Sequence, residues 1–163
     1  MDTVSQLDWL EHLTTGQKYL QTARNGLARP SVFNNKLIYH LTAMAIEKML
    51  VGVFQYHRQM PEDHTLDGLV DGLAHICPLD KDLADGIKGI GRFDDMCPLV
   101  PVKHRIPDDL EIKAMLAVGE QVAAFADGQV EEQFRVQSSR FFRAVTGDEQ
   151  GPSGRGREER RSS

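Results

Sequence analysis

Residues 34–58 constrain the fold more than any other part of the chain. In the run NNKLIYHLTAMAIEKMLVGVFQYHR, Leu37, Ile38, Leu41, Ala43, Met44, Ala45, Ile46, Met49, Leu50, Val53 and Phe54 wrap well past a single helical stripe. A helix that is apolar on several sides requires neighbours on several sides, so this segment is expected at the centre of a helical bundle. Leu41, Ala45 and Met49 are expected to be nearly inaccessible. The pair Glu47 and Lys48 interrupts the apolar run, so a membrane span, which needs about 18 or more uncharged apolar residues, is not expected.

The rest of the pattern is helical too, with no alternating β-branched run to suggest a strand. A first helix is expected over residues 3–27, with Gly16 as a weak spot. Arg29-Pro30 breaks it, because a residue before proline is pushed out of the helical region. The central helix follows over 32–58. Thr65 and Asp80 are predicted caps for helices over 65–76 and 80–93, the second weakened by Gly86, Gly89 and Gly91. Residues 94–106 carry two prolines and no period, and read as a loop. Pro107-Asp108-Asp109 then opens a helix over 107–127, with proline at the first helical position and acids facing the positive end of the helix dipole. Gly128 is a predicted break before an amphipathic segment in which Phe134 and Phe141 share a stripe.

These elements predict an all-α, up-and-down bundle of four to six helices. The expected organisation is a bundle over 1–127, an amphipathic helix over 128–146 and a disordered, Arg-rich tail over 147–163. At 163 residues the chain suits one domain plus a tail. The N-terminal residues lack the basic cluster of a secretory signal, and two cysteines do not make a disulfide framework, so a cytoplasmic protein with reduced thiols is expected.

Charge narrows the function classes. Residues 1–127 hold 12 basic against 18 acidic side chains, and residues 128–163 hold 7 arginines against 6 acids. An acidic body argues against broad adhesion to nucleic acid, which requires a basic face to displace counterions.

The ordered combination of Ala43 to Leu50 (AMAIEKML), His64-Thr65-Leu66 and a loop before a Pro-initiated last helix resembles the HEPN domain family, over residues 14–127. The resemblance implies a helical bundle that pairs as a homodimer and works beside a nucleotidyltransferase partner, or as a metal-independent endoribonuclease in toxin and defence systems. The nuclease motif of that family is an Arg with a His four to six residues after it, late in the domain. Here the only spacing match is Arg58 to His64, which follows the central helix and encloses Pro61; no His follows Arg92 or Arg105 at that distance. The resemblance therefore implies a non-catalytic member, without a cofactor. Phe134 and Phe141 are candidates for a dimer contact or a strap across the bundle.

Two further clusters merit weighing. Lys103-His104-Arg105 with Arg92 is the densest basic patch of the body, and with the helix start at Pro107 it is a candidate ligand site for a phosphate or nucleotide. The neighbouring acids Asp94, Asp95, Asp108 and Asp109 make internal pairing the favoured reading. His75, Cys77, Cys97 and His104 have zinc-type donors but lack the tight paired spacing of zinc sites, so no metal is expected. Glu47, apolar on both flanks, requires a partner: Lys48, a neighbouring arginine or solvent.

Overall fold

The computed structural model describes residues 8–93 and 105–146, with side chains up to residue 131. The described residues form an all-α bundle of five helices: α1 (Asp8–Gly26), α2 (Asn35–Tyr56), α3 (Leu66–Leu73), α4 (Lys81–Gly91) and α5 (Asp109–Thr146). The chain divides into two units, Met1–Val130 and Glu131–Ser163. The expected tail at 147–163 lies outside the described residues, and so do the side chains of Phe134 and Phe141.

α2 is the central helix. Ala45, Ile46, Met49, Leu50 and Val53 are wholly inaccessible, each burial of a large side chain being worth roughly 1.5–3 kcal/mol. By length and composition α2 could cross a membrane, but most of it is buried within the bundle. Leu41 departs from expectation: it is only partly buried at the edge of the core, and the inward position belongs to Thr42, 1% exposed. A polar side chain is tolerated there because the Thr42 hydroxyl donates to the Ile38 carbonyl at 2.8 Å, one turn back. Its methyl group faces α5 at Gly119.

Glycines set how closely the helices approach. A Cβ on Gly16 would lie 2.5 Å from Met49 Cγ and 2.8 Å from the Ala45 carbonyl oxygen, and one on Gly52 would lie 2.8 Å from Leu13 and 3.0 Å from the Trp9 carbonyl oxygen. Residues rising along α1 thus meet residues falling along α2, so the two helices are antiparallel and nearly in backbone contact. Gly16 reads as a defect within α1; in the bundle it is the condition for this approach.

α5 lies along both. Gln17 donates to Asp127 at 2.9 Å, Arg24 to Glu120 at 3.0 Å, and Asn35 to the Pro107 carbonyl and the Asp109 carboxylate at 3.0 and 2.8 Å. The descending order of partners along α1 makes α5 antiparallel to it. The ascending order from Asn35 through Thr42 to His57, whose ring meets Gln129 at 3.1 Å, makes α5 parallel to α2.

The α2–α3 connection has an unusual course. α2 ends in a Schellman-type cap, with Arg58 N–H bonded to the Gln55 carbonyl and Gln59 N–H to the Phe54 carbonyl. Arg58 holds the left-handed position of that cap, φ 56°, where glycine is the usual residue. The chain then turns back along α2, so that His64 reaches Glu47 while Gly72, further on, meets Phe54. α3 consequently runs in the same sense as α2. Thr65 and Asp80 cap α3 and α4 as expected, accepting from Gly68 N–H and Leu83 N–H at 3.1 Å each.

α4 keeps its three glycines for different reasons. Gly86 faces Val118 and Gly91 faces Asp67 and Leu66, while a Cβ on Gly89 would meet nothing within 4 Å among the described residues. Gly89→Ala is therefore expected to stabilise the protein by about 0.5–1 kcal/mol, through lower backbone entropy in the unfolded chain. Chemical denaturation of the two proteins side by side measures this directly.

The start of α5 corrects the expectation for Pro107. The first helical residue is Asp109, and Asp108 is the cap. Asp108 accepts from Glu111 N–H and Glu111 accepts from Asp108 N–H, both at 2.9 Å, a reciprocal capping box that places buried Pro107 just outside the helix. At the other end, the predicted break at Gly128 does not occur. α5 continues through it, and the propensity cost of about 1 kcal/mol is absorbed within the long helix.

Candidate functional site

The returning 57–65 loop creates a cleft of about 270 Å³ between α2, the beginning of α3 and the end of α4. His40, Met44 and Glu47 reach it from α2, their spacing of four and three residues placing them on one helical face. His64, Thr65 and Asp67 come from the head of α3, and Gly91 closes the side toward α4. Gly91 suits that place because a Cβ there would press within 3.3 Å of Asp67 Oδ1.

Glu47 Oε1 stands 3.6 Å from His64 Nδ1, with the two side chains 37% and 59% exposed. Glu47 thus keeps part of its side chain in solvent, one of the answers its apolar flanks leave open, with the His64 ring beside it and, among the described residues, no lysine or arginine paired with it. The head of α3 is held by its own polar relay. Asp63 accepts from Thr65 N–H at 2.8 Å and from the Thr65 hydroxyl at 2.9 Å, while the same hydroxyl oxygen accepts from Gly68 N–H. The backbone and hydroxyl donors of Thr65 hold the Asp63 carboxyl below its ordinary range.

The structure separates the two residues of the Arg/His spacing match. Arg58 is exposed at the C-terminal cap of α2, while His64 lies against Glu47, about 15 Å back along the helix axis by helical rise. Within one chain they do not form a shared site.

The basic patch is also divided. Lys103 and His104 lie outside the described residues, as do Asp94 and Asp95. Arg92 is exposed at the C-terminal cap of α4. Arg105 makes a two-pronged pair with Glu111, at 2.9 and 2.6 Å, and its guanidinium lies 5.3 Å over the Phe93 ring. Internal pairing is what the sequence favours for this patch, and among the described residues the acid that pairs with Arg105 is Glu111 rather than Asp108 or Asp109. The spacing Asp108-x-x-Glu111 before an apolar run was the available signal.

Glu111 is held below the ordinary glutamate range, first by the Arg105 hydrogen bonds and then by Asp108 N–H. A carboxyl depressed on folding stabilises the native state above its unfolded pKa and loses that contribution as pH falls through the folded one. Glu111→Gln is thus expected to lower the melting temperature at neutral pH, with the difference from wild type shrinking as the medium is acidified below the ordinary glutamate range. Paired thermal melts across that window check the sign; a difference that grows on acidification contradicts the assignment.

Among the zinc-type residues, Cys77 is buried, with its thiol pushed up by burial, and His75 is exposed. Cys97 and His104 lie outside the described residues. Among the described residues no group of three or more histidine, cysteine or acidic side chains is arranged to hold a metal ion.

No family model matches the chain, and no match to it was found among curated proteins or solved structures.

Proposed function

We propose that this chain is a HEPN-like interaction module that works by pairing with a second copy of itself and with a partner protein, a nucleotidyltransferase being the partner class that the sequence resemblance implies. One observation carries the reading. Val32, Ile106 and Leu110 are 66%, 59% and 77% exposed, and all lie within three residues of the Asn35 bridge that ties the start of α2 to the start of α5. Large apolar side chains left in water beside an anchored junction are suited to being covered by another surface.

Sedimentation of the full chain at high micromolar concentration tests this. The wild type is expected to be a dimer, and Leu110→Glu a monomer with an unchanged melting temperature, because Leu110 contributes little to the core. A wild type that stays monomeric overturns the pairing.

The competing reading, a metal-independent endoribonuclease using Arg58 and His64, requires a base near the ribose 2′-hydroxyl and a cation near the scissile phosphate, both rigidly held. The separation of the two residues along α2 weighs against it. The nucleotide-binding reading is weakened in turn by the commitment of Arg105 to Glu111. The purified protein is expected to leave structured and single-stranded RNA intact. Cleavage that disappears in His64→Ala would replace the interaction reading with the nuclease one.

A further inference from the structure

We propose that the outward face of α5 packs against the same face of a second copy, the two helices running antiparallel about a two-fold axis near residue 119. This rests on the self-pairing proposed above and names the surface and register that make it. Along α5 the positions Leu110, Ala114, Ala117, Gln121, Ala124 and Gly128 recur every three or four residues and all are exposed, so they form one stripe turned away from the core over about 27 Å. None of the six carries a charge. The solvent face of a bundle helix is ordinarily its charged face, yet here the charges Lys113, Glu120 and Asp127 stand to one side of the stripe.

The stripe is complementary to its own reverse. Mirrored about residue 119, Leu110 meets Gly128, Ala114 meets Ala124 and Ala117 meets Gln121. Leu110, 77% exposed, is a large side chain with little cover from its own chain, while a Cβ on Gly128 would meet nothing within 4 Å among the described residues. In the pair each leucine covers the other copy's glycine, twice by symmetry. The alanines between them let the two axes approach to about 8 Å, the short end of helix packing.

The flanking charges select the direction. A two-fold axis lying across the helices brings the same flank of each copy together, and that flank holds both Lys113 and Asp127. Lys113 lies two residues from the mirror position of Asp127, about 3 Å along the axis and within reach of a lysine. Neither charge is spent: among the described residues Lys113 has no ion-pair partner, and Asp127 accepts only the neutral amide of Gln17. Glu120, near the axis, arrives with its charge balanced by Arg24 at 3.0 Å. In a parallel pair opposite flanks would meet, and the acid nearest in height to Lys113 would be Glu111, already held by Arg105.

The test begins with sedimentation of the full chain. Gly128→Leu, which fills the place each Leu110 needs, is expected to be monomeric where the wild type is dimeric, with a melting temperature no lower than that of the wild type when both are dilute enough to be monomers. Lys113→Glu is expected to weaken the dimer about tenfold at low ionic strength, and the addition of Asp127→Lys to restore it. Disulfide trapping reads the direction. Ala114→Cys and Ala124→Cys, each in a Cys97→Ser chain and one of them isotope-labelled, are mixed and gently oxidised, and the cross-linked species is expected to join one chain of each kind.

A wild type that stays monomeric overturns the self-pairing and this arrangement together. A wild-type dimer whose cross-links join like chains, whose affinity is unchanged by Gly128→Leu, or whose loss in Lys113→Glu is not restored by Asp127→Lys overturns this arrangement alone and leaves the self-pairing standing.

Discussion

Met49→Asp is expected to abolish cooperative folding. The Met49 side chain is wholly inaccessible at the middle of α2, beside Gly16 of α1, and an aspartate there would bury a charge with no partner supplied. The penalty is several kcal/mol against a total stability of about 5–15 kcal/mol for a domain of this kind. Met49→Leu, which conserves volume, should cost less than about 1.5 kcal/mol and serves as the control. Thermal melts followed by circular dichroism distinguish the two. An aspartate variant with a wild-type melting curve would show that α2 is not the centre of the bundle.

Gly16→Val should be nearly as damaging, for a geometric reason. Even the first added carbon would meet Met49 Cγ at 2.5 Å and the Ala45 carbonyl oxygen at 2.8 Å. The methionine tip can swing aside, but the carbonyl belongs to the backbone of α2, so α1 must move away and loosen the whole seam. Gly16→Ala sets the scale: the gain in helix propensity of about 1 kcal/mol is expected to be outweighed by overpacking of about 1–3 kcal/mol, and the branched valine goes beyond that. The same Gly→Ala change should therefore be destabilising at position 16 and stabilising at position 89. Denaturation midpoints that move in the same direction at both sites would refute the close α1–α2 approach.

The contrast between those glycines marks how far the sequence could be read. Apolar wrapping over 37–54 was enough to place α2 at the centre, and the caps Thr65 and Asp80 were visible because a short polar side chain just before a periodic run has one obvious use. Composition could not distinguish a glycine that loosens a helix from one that lets two backbones approach, because the deciding atom lies on another element. Leu41 lies at the edge of the core, with Thr42 turned inward instead, for a similar reason. Hydropathy favours the leucine for the core, while the direction toward α5 is set by packing, and an intrahelical hydrogen bond removes the objection to threonine.

The cleft was less legible still. In the sequence His64 stands out through its spacing from Arg58, yet its neighbour is Glu47, which only the reversal of the 57–65 loop brings near. The pair Asp108 and Glu111, by contrast, was legible. Their spacing announces a capping box, and reading Pro107 as the first helical residue obscured it.

The contacts of α5 also carry a consequence for how the protein is made. α1 and α2 are neighbours in the chain, but the flank they present at Leu20 and Thr42 is closed by Gly119, and Gln17 and Arg24 find their partners at Asp127 and Glu120. A ribosome adding about 5–20 residues per second needs on the order of 10 s to pass from residue 42 to residue 119. Throughout that interval the nascent α1–α2 pair has an uncovered apolar flank, and this is the period in which a chaperone, or a premature encounter with another nascent copy, would find it.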